Sequence, residues 1–480
     1  MSESRCWKRY HYPRLLHMWR DWLNQDRWQP VDLWLREWQR KHPYFPPGTK
    51  EDAKSPYRKA RGSAYPPQNK RVHSDEVREE RLIVSEAMFQ AMRFLQLASA
   101  LETAYQRDLH GERPLGEVDW RNWDSQWQPA DAENLAPEVF WYWVGLRLDT
   151  NCPAPNALPD ATKRQTWFAG IEQHFSNDEN ANTWLLWHGL RPQWLPDFEL
   201  RQKQSNWSVP EFANFISEQN YFPPLWLRAQ GGKSLDELAR QLTKEGVKTS
   251  RAAAPLEGLN ATGGRGLHET TPYKTGQVEI QDLASQQIAM AVAVQPGQKV
   301  WDTCAGAGGK SLAIASRMNN KGVVVATDLH AYKLDELKRR AKRADFSNIR
   351  TFTWDGQAPL RLPLEVARQK GFDWVLVDAP CTASGTWRRN PDARWRFDPS
   401  DCQELTALQY QLLEKAQFSV RAGGHLVYAT CSWLAAENED QVARFLQQHA
   451  DFSLVEQRML GLPRQNSDTM FVAVLKKSGL

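Results

Sequence analysis

Residues 299–318 read KVWDTCAGAGGKSLAIASRM. An apolar start, a glycine-rich turn and a helix-favouring run make this a strand, a loop and a helix. Gly306, Gly308 and Gly309 let the backbone approach a ligand, and the helix that follows offers unpaired N–H groups to an anion. Lys310 adds a positive charge at the helix start. The same rhythm continues along the chain. Strands are expected at 299–304, 322–328, 349–354, 373–379 and 424–430, and helices at 309–319, 331–344, 405–421 and 435–449. Strands alternating with helices at this spacing predict a parallel, doubly wound, Rossmann-like α/β sheet. Ligands of such sheets bind beyond the carboxyl ends of the strands.

The glycine loop fits two ligands. A phosphate loop has the pattern G-x-x-x-x-G-K-[ST], and Gly309-Lys310-Ser311 supplies its end, but Cys304 stands where its first glycine belongs. The run WVLVDAP, 374–380, would serve as the apolar strand and metal-binding aspartate of such an NTPase. The other ligand is S-adenosylmethionine, with its carboxylate at the helix N-terminus and Lys310. The second strand then ends on Asp328, about 20 residues beyond the loop, where an acid accepts hydrogen bonds from ribose hydroxyls. The third ends on Asp355, suited to an adenine amino group. A helix N-cap is the plainer use of either aspartate taken alone.

The fourth strand leads to Asp378-Ala379-Pro380-Cys381 and the fifth to Thr430-Cys431-Ser432. Adjacent strand ends meet in one crevice, so Asp378, Cys381 and Cys431 are expected to be neighbours. Two thiols and a carboxylate beside a methyl donor suit one reaction. Carbon 5 of a pyrimidine is a poor nucleophile until a thiolate adds to carbon 6, which is covalent catalysis. Asp378, protonated or sharing a proton with the base, is placed to hydrogen-bond near N3 and relieve the charge of addition as a catalytic residue, and a second thiol or a water removes the carbon-5 proton before elimination. Pro380-Cys381 by itself also fits the way a DNA cytosine methyltransferase carries its nucleophile, which leaves open which cysteine attacks.

The stretches QDLASQQIAMAV, DTCAGAGGKS, DAPCTASGTWRRNPD and YATCSWLAAENED, spread over residues 221–480, resemble the Sun (Fmu) family of S-adenosylmethionine-dependent RNA cytosine-5 methyltransferases. The resemblance implies a class I methyltransferase domain that methylates RNA, first of all bacterial ribosomal RNA, with transfer RNA as the second substrate. It implies Cys431 as the covalent nucleophile and Cys381 as the residue that assists release. It also implies a cofactor site made by Cys304, Ala305, Gly306, Ala307, Gly308, Gly309, Lys310, Asp328, Asp355 and Asp378. The basic segment from Trp387 to Arg396 borders the RNA path in that family. The family's usual loop is Ala-Ala-Pro-Gly-Gly-Lys-Thr, and losing its proline here should loosen the turn. A stacked cytosine must flip out to reach a thiolate. Besides the NTPase, the rival is a methyltransferase fold without catalysis that serves ribosome assembly.

Working outward, 480 residues are too many for one core, and two or three domains are expected. Residues 1–40 form a Trp-rich helical segment, in which Trp19, Trp22, Trp34 and Trp38 lie at helical spacing. A core stripe is the plainer reading, a base-stacking surface the other. Residues 41–75 form a basic, Pro-rich linker, with eight Lys/Arg against two acids from Lys41 to Ser74. Residues 76–205 form a mainly helical accessory domain, 206–272 a small α+β module like those that bind RNA, and 273–480 the Rossmann-like domain. The net charge of +4 divides into +7 over residues 1–100, −9 over 101–200 and +6 over the rest, a weak sign of a polyanion-binding face. No apolar run reaches the ~18 residues of a membrane span. Six cysteines without a CxxC pair argue against a disulfide framework or a structural zinc. A reduced, cytoplasmic protein with no metal and no membrane partner is expected, in which Cys6, Cys152 and Cys402 are ordinary thiols and His425 is a satisfied core residue.

Overall fold

The computed structural model describes residues 6–26, 28–43, 70–177, 180–262, 266–397 and 399–479. The expected linker lies largely outside them; the helix Lys70–Arg93 begins within its last residues. The chain divides into two compact units, residues 1–199 with 390–396, and residues 200–389 with 397–480.

The first unit is helical, and its sequence makes it a tryptophan core. In the helix Tyr12–Leu23, Trp19 and Trp22 are three residues apart and fall on one face. Both are fully buried, and Trp34 and Trp38 of the helix Val31–Lys41 are nearly so. Trp19 stacks on Phe140 with centroids 4.1 Å apart, and Trp22 meets Trp34 edge to face at 5.1 Å. The stripe is therefore core and not a surface for bases. Cys6 and Cys152, expected to be plain thiols, are joined by a disulfide across 146 residues of sequence, a separation at which no spacing rule could have paired them.

The second unit holds two sheets. The smaller comprises β1 (Leu225–Ala229), β2 (Lys248–Arg251), β3 (Leu259–Thr262) and β4 (Val278–Ile280), in the order β2-β3-β1-β4. All its pairings are antiparallel. The amphipathic helix Leu235–Lys244, capped by Ser234, buries Leu238 and Leu242 against Leu227, Leu259 and Val278. Because β4 lies beyond residue 272, this module extends further than the sequence boundary.

The larger sheet contains β5 (Lys299–Asp302), β6 (Val323–Asp328), β7 (Ile349–Thr353), β8 (Phe372–Asp378), β9 (Val420–Thr430), β10 (Phe452–Leu460) and β11 (Met470–Lys477). Its order is β10-β11-β9-β8-β5-β6-β7. All five expected strands are present, and β5 to β9 pair in parallel. The sequence reading missed β10 and β11, an antiparallel pair added beside β9.

Strands β6 and β8 read as continuous apolar runs because both faces are covered. On one face Val300, Val324 and Leu376 pack with Ile288, Ile314 and Met318; on the other Trp301, Val325 and Val375 pack with Leu413 and Phe445. The chain runs β5-β6-β7 to one side and then returns to β8 and β9 on the other. The switch between β5 and β8 opens a crevice at the strand ends, where Asp302, Asp328 and Asp378 lie.

Candidate active site at the strand ends

Asp378 of β8 is in register with Ala429 of β9, and Ala379 N donates to Ala429 O at 2.9 Å. Pro380 has no N–H to continue the ladder, so the chain leaves the sheet there. Cys381 and Cys431 therefore emerge side by side, with their Sγ atoms 3.2 Å apart and both half-buried. The hydrogen bond to Cys431, reinforced by burial, pushes the Cys381 thiol well above its ordinary range. Lys310 Nζ donates to Asp378 Oδ2 at 2.7 Å. Burial pulls its ammonium down, but the Asp378 charge and hydrogen bond outweigh this, and the thiol of Cys431 adds to the upward shift. Asp378, Lys310, Cys381 and Cys431 thus form one cluster.

Two residues that sequence reading missed hold both cysteine loops. Glu437 is fully buried; Oε1 accepts from Thr382 N at 2.9 Å and from Gln409 Nε2 at 3.0 Å, and Oε2 accepts from Thr382 Oγ1 at 2.6 Å. This fixes the residue after Cys381. Asn438 accepts from Thr430 Oγ1 at 2.5 Å and donates to Ser432 O at 2.9 Å, which fixes the residues on either side of Cys431. Next in sequence, Glu439 takes a bidentate pair from buried Arg201 at 2.7 and 2.8 Å, while Arg201 Nε donates to Trp433 O. The acidic run after Cys431 lies at the start of the helix expected at 435–449. Residues Ala435–Glu437 instead form a short 3₁₀ turn, and the helix begins at Glu439.

The glycine loop is pinned from several sides, which offsets the missing proline. Ala305 N donates to Thr327 O at 2.8 Å, Gly308 N to Ala305 O at 2.9 Å, and Arg340 Nη1 to Ala307 O at 2.7 Å. Gly306 N donates to Asp328 Oδ2 at 2.9 Å, and His330 N donates to Asp328 Oδ1 at 2.9 Å. Gly306 and Gly308 have φ of +55° and +87°. A Cβ at 308 would lie 2.0 Å from Leu337 Cδ1, whereas one at 306 would enter open space.

The loop suits a cofactor with an adenosine ribose and an amino-acid end. There is room over Gly306, Asp328 stands at the end of β6, and Asp355 stays exposed after β7, its Oδ1 accepting only from Gln357 N among the hydrogen bonds described. Buried Asp302 accepts from Ser311 Oγ at 2.6 Å, while its Oδ1 has no protein partner. Burial pushes this carboxyl up to about 7. Lys310 differs from the sequence expectation, since its ammonium sits on Asp378. Cys304 is half-buried and packs partly against the sheet core, and burial pushes its thiol up to about 12.

The arginines of the basic segment Trp387 to Arg396 are tied into the fold by carboxylates and carbonyls. Arg388 is 1% exposed and donates to Tyr221 O, Ser467 O, Glu218 and Asn466. Arg389 bridges Asp282 and Asp468. Arg394 is buried and donates to Gly189 O, and Arg396 pairs with Asp392 at 2.9 Å. A buried cation needs carboxylates and carbonyls around it, and here the fold supplies them. His425 is half-buried and stacks on Trp374 with centroids 4.2 Å apart.

The model of the 16S rRNA methyltransferase RsmB/F family matches residues 289–476, which span the larger sheet and both cysteine loops. The chain belongs to the RsmB/F family, the Sun (Fmu) methyltransferases. The probable ribosomal RNA small subunit methyltransferase B of Synechocystis sp. is 32% identical over 305 residues, an alignment covering 59% of this chain and 67% of that one. Ribosomal RNA small subunit methyltransferase B of Serratia proteamaculans is 33% identical over 268 residues, covering 56% of this chain and 60% of the relative. The crystal structure of PH0851 shares the fold with a TM-score of 0.59 and 23% identity, over 85% of this chain and 92% of that one. The RsmB/F fold is that of class I methyltransferases, and the family's methyl donor is S-adenosylmethionine. Among the described residues no helix is long and apolar enough to cross a membrane.

Proposed function

We propose that the chain methylates carbon 5 of a cytosine in small-subunit ribosomal RNA, with Cys431 as the covalent nucleophile. The observation that carries this reading is the pair of thiols 3.2 Å apart at the ends of adjacent parallel strands, beside the Lys310–Asp378 pair. An NTPase has no use for that pair. The RNA substrate rests on family membership and on the ribosomal RNA named for the relatives.

In this reading Cys431 adds as thiolate to carbon 6 of a flipped cytosine, and the electron pair moves toward N3 and makes carbon 5 nucleophilic. Lys310, oriented by Asp378, supplies positive charge and N–H donors where that negative charge collects. Bound S-adenosylmethionine supplies an electrophilic methyl group, and the residues that would hold it are the Cys304–Lys310 loop, Asp328 and Asp355. Cys381 then serves release. Once Cys431 is bound to carbon 6 it carries no charge and no longer raises Cys381, which gives its proton to solvent and, as thiolate, removes the carbon-5 proton directly or through a water. The electron pair of that C–H bond re-forms the 5,6 double bond, and the carbon–sulfur bond breaks to return Cys431 as thiolate. The raised Cys381 thiol fits a residue that does not compete for the first attack.

The test is to incubate wild type, Cys431→Ala and Cys381→Ala with S-adenosylmethionine and either 16S rRNA or tRNA and to run denaturing gels. Cys381→Ala should accumulate a protein–RNA adduct, and Cys431→Ala should form none. An adduct that requires Cys381 reverses the two roles. No adduct and no methyl transfer to 16S rRNA with any variant overturns the proposal, and transfer only to tRNA moves the substrate.

A further inference from the structure

His17, Asp21 and His42 lie in the first unit, far in sequence from every residue assigned above. His17 and Asp21 are four residues apart in the helix Tyr12–Leu23, so they share one face. His42 caps the end of the helix Val31–Lys41. The ligand atoms of all three side chains lie within 4.8 Å of one another. Asp21 Oδ2 is 3.3 Å from His17 Nε2 and 3.5 Å from His42 Nε2. Ligand atoms about 2.1 Å from a tetrahedral zinc are separated by about 3.4 Å, so both separations match edges of that tetrahedron.

The surroundings orient the ligands. Trp38 Nε1 donates to Asp21 Oδ2 at 2.7 Å, taking one lone pair of that oxygen. The Trp38 ring also stacks on His42, with centroids 4.8 Å apart and an interplanar angle of 25°. Arg14 Nη2 donates to His42 O at 2.7 Å and so holds the backbone of the third ligand. Trp38 belongs to the buried tryptophan core, which makes it a rigid support. Such outer partners are the usual means of aiming metal ligands. The three side chains are 35%, 34% and 27% exposed, which leaves a side open for a water as fourth ligand.

We infer that His17, Asp21 and His42 bind one divalent ion of the zinc class, clipping the first helix to the end of the second. Two imidazoles and one carboxylate are borderline ligands that favour zinc over magnesium or calcium. The sequence has no Cys-x-x-Cys pair to signal a zinc site, and these three ligands are brought together only by the packing of two helices. The clip stands apart from the reaction proposed above, so its failure would leave the methyl-transfer reading untouched.

The test is equilibrium dialysis of the full chain against Zn²⁺, with Co²⁺ as a spectroscopic probe. Wild type should bind one ion with the visible bands of a tetrahedral nitrogen–oxygen site and without a thiolate charge-transfer band, which would mark the Cys381–Cys431 pair. His17→Ala and His42→Ala should abolish this binding. Asp21→Asn should weaken it strongly while keeping an oxygen for Trp38, so the fold is retained. Trp38→Phe should weaken it by about 10- to 100-fold at unchanged stoichiometry. Far-ultraviolet circular dichroism checks that each variant is folded. The inference is overturned if wild type binds no ion of this kind, or if the ion it binds is unaffected by Asp21→Asn and His17→Ala.

Discussion

Glu437 offers the sharpest separation of release from attack. Its carboxylate takes three donors, Thr382 N, Thr382 Oγ1 and Gln409 Nε2, in a fully buried site. Glu437→Gln keeps the shape. The amide oxygen still accepts from Thr382 N and Gln409 Nε2, and the Thr382 hydroxyl can turn toward Ser432 Oγ, 3.4 Å away, and accept from the new NH₂ group. What is lost is charge assistance. A hydrogen bond to a charged group contributes about 1.5–3 kcal/mol and one to a neutral group about 0.5–1.5, so each of the two retained acceptor bonds weakens by about 1 kcal/mol. The hold on the Cys381 loop falls by roughly 2 kcal/mol, or about 30-fold in the rate of any step that needs Cys381 in place. The assay is single-turnover methylation followed by denaturing gels at successive times. Adduct formation should stay within about threefold of wild type, adduct decay should slow by about 30-fold, and the complex should build up transiently. Normal decay in Glu437→Gln would refute the reasoning, and so would loss of adduct formation with decay unchanged.

Two further outcomes follow from the site. Gly308→Ala should weaken S-adenosylmethionine binding and lower the melting temperature far more than Gly306→Ala, because only the former drives a Cβ into Leu337, while both carry the about 1–2 kcal/mol cost of a left-handed backbone; isothermal titration and thermal melts of the pair check this. Asp302→Asn tests the buried carboxyl. Burial raises its carboxyl from the ordinary 3.8 to about 7, so the fold binds the extra proton, and stability from this group is lost as pH rises from about 4 to about 7. Denaturant melts should find the variant gaining on wild type by at most about 4 kcal/mol at pH 8, with the gain vanishing near pH 4; a pH-independent difference would refute the assignment.

The parallel strands were legible because each is an apolar run closed by a turn. Val323–Asp328 and Phe372–Asp378 are buried on both faces and so carry no alternation to misread. The strand Phe452–Leu460 was not legible, since most of its residues are exposed and charged ones interrupt it. Its partner Met470–Lys477 is strongly apolar, but its antiparallel direction follows from pairing with Val420–Thr430 and not from its own residues. Arg388 and Arg394 read as a basic loop because the groups that neutralise them, Glu218, Ser467 and Gly189, are 79 to 205 residues away.

The sequence by itself determined the doubly wound class, the glycine loop, the aspartates that end the strands, and the two cysteines as neighbours. Each is written in a short window, by periodicity or by a motif whose residues touch the same strand end. Only the tertiary structure decided that Lys310 rests on Asp378, that Glu437 and Asn438 hold the cysteine loops, that Arg388 and Arg394 of the basic segment are buried, and that His42 returns to His17 and Asp21. Those contacts join residues brought together by packing, and burial changes what a charged side chain does. A lysine, a glutamate or an arginine spells the same letter in solvent and in a core, and its partner there is chosen by the fold.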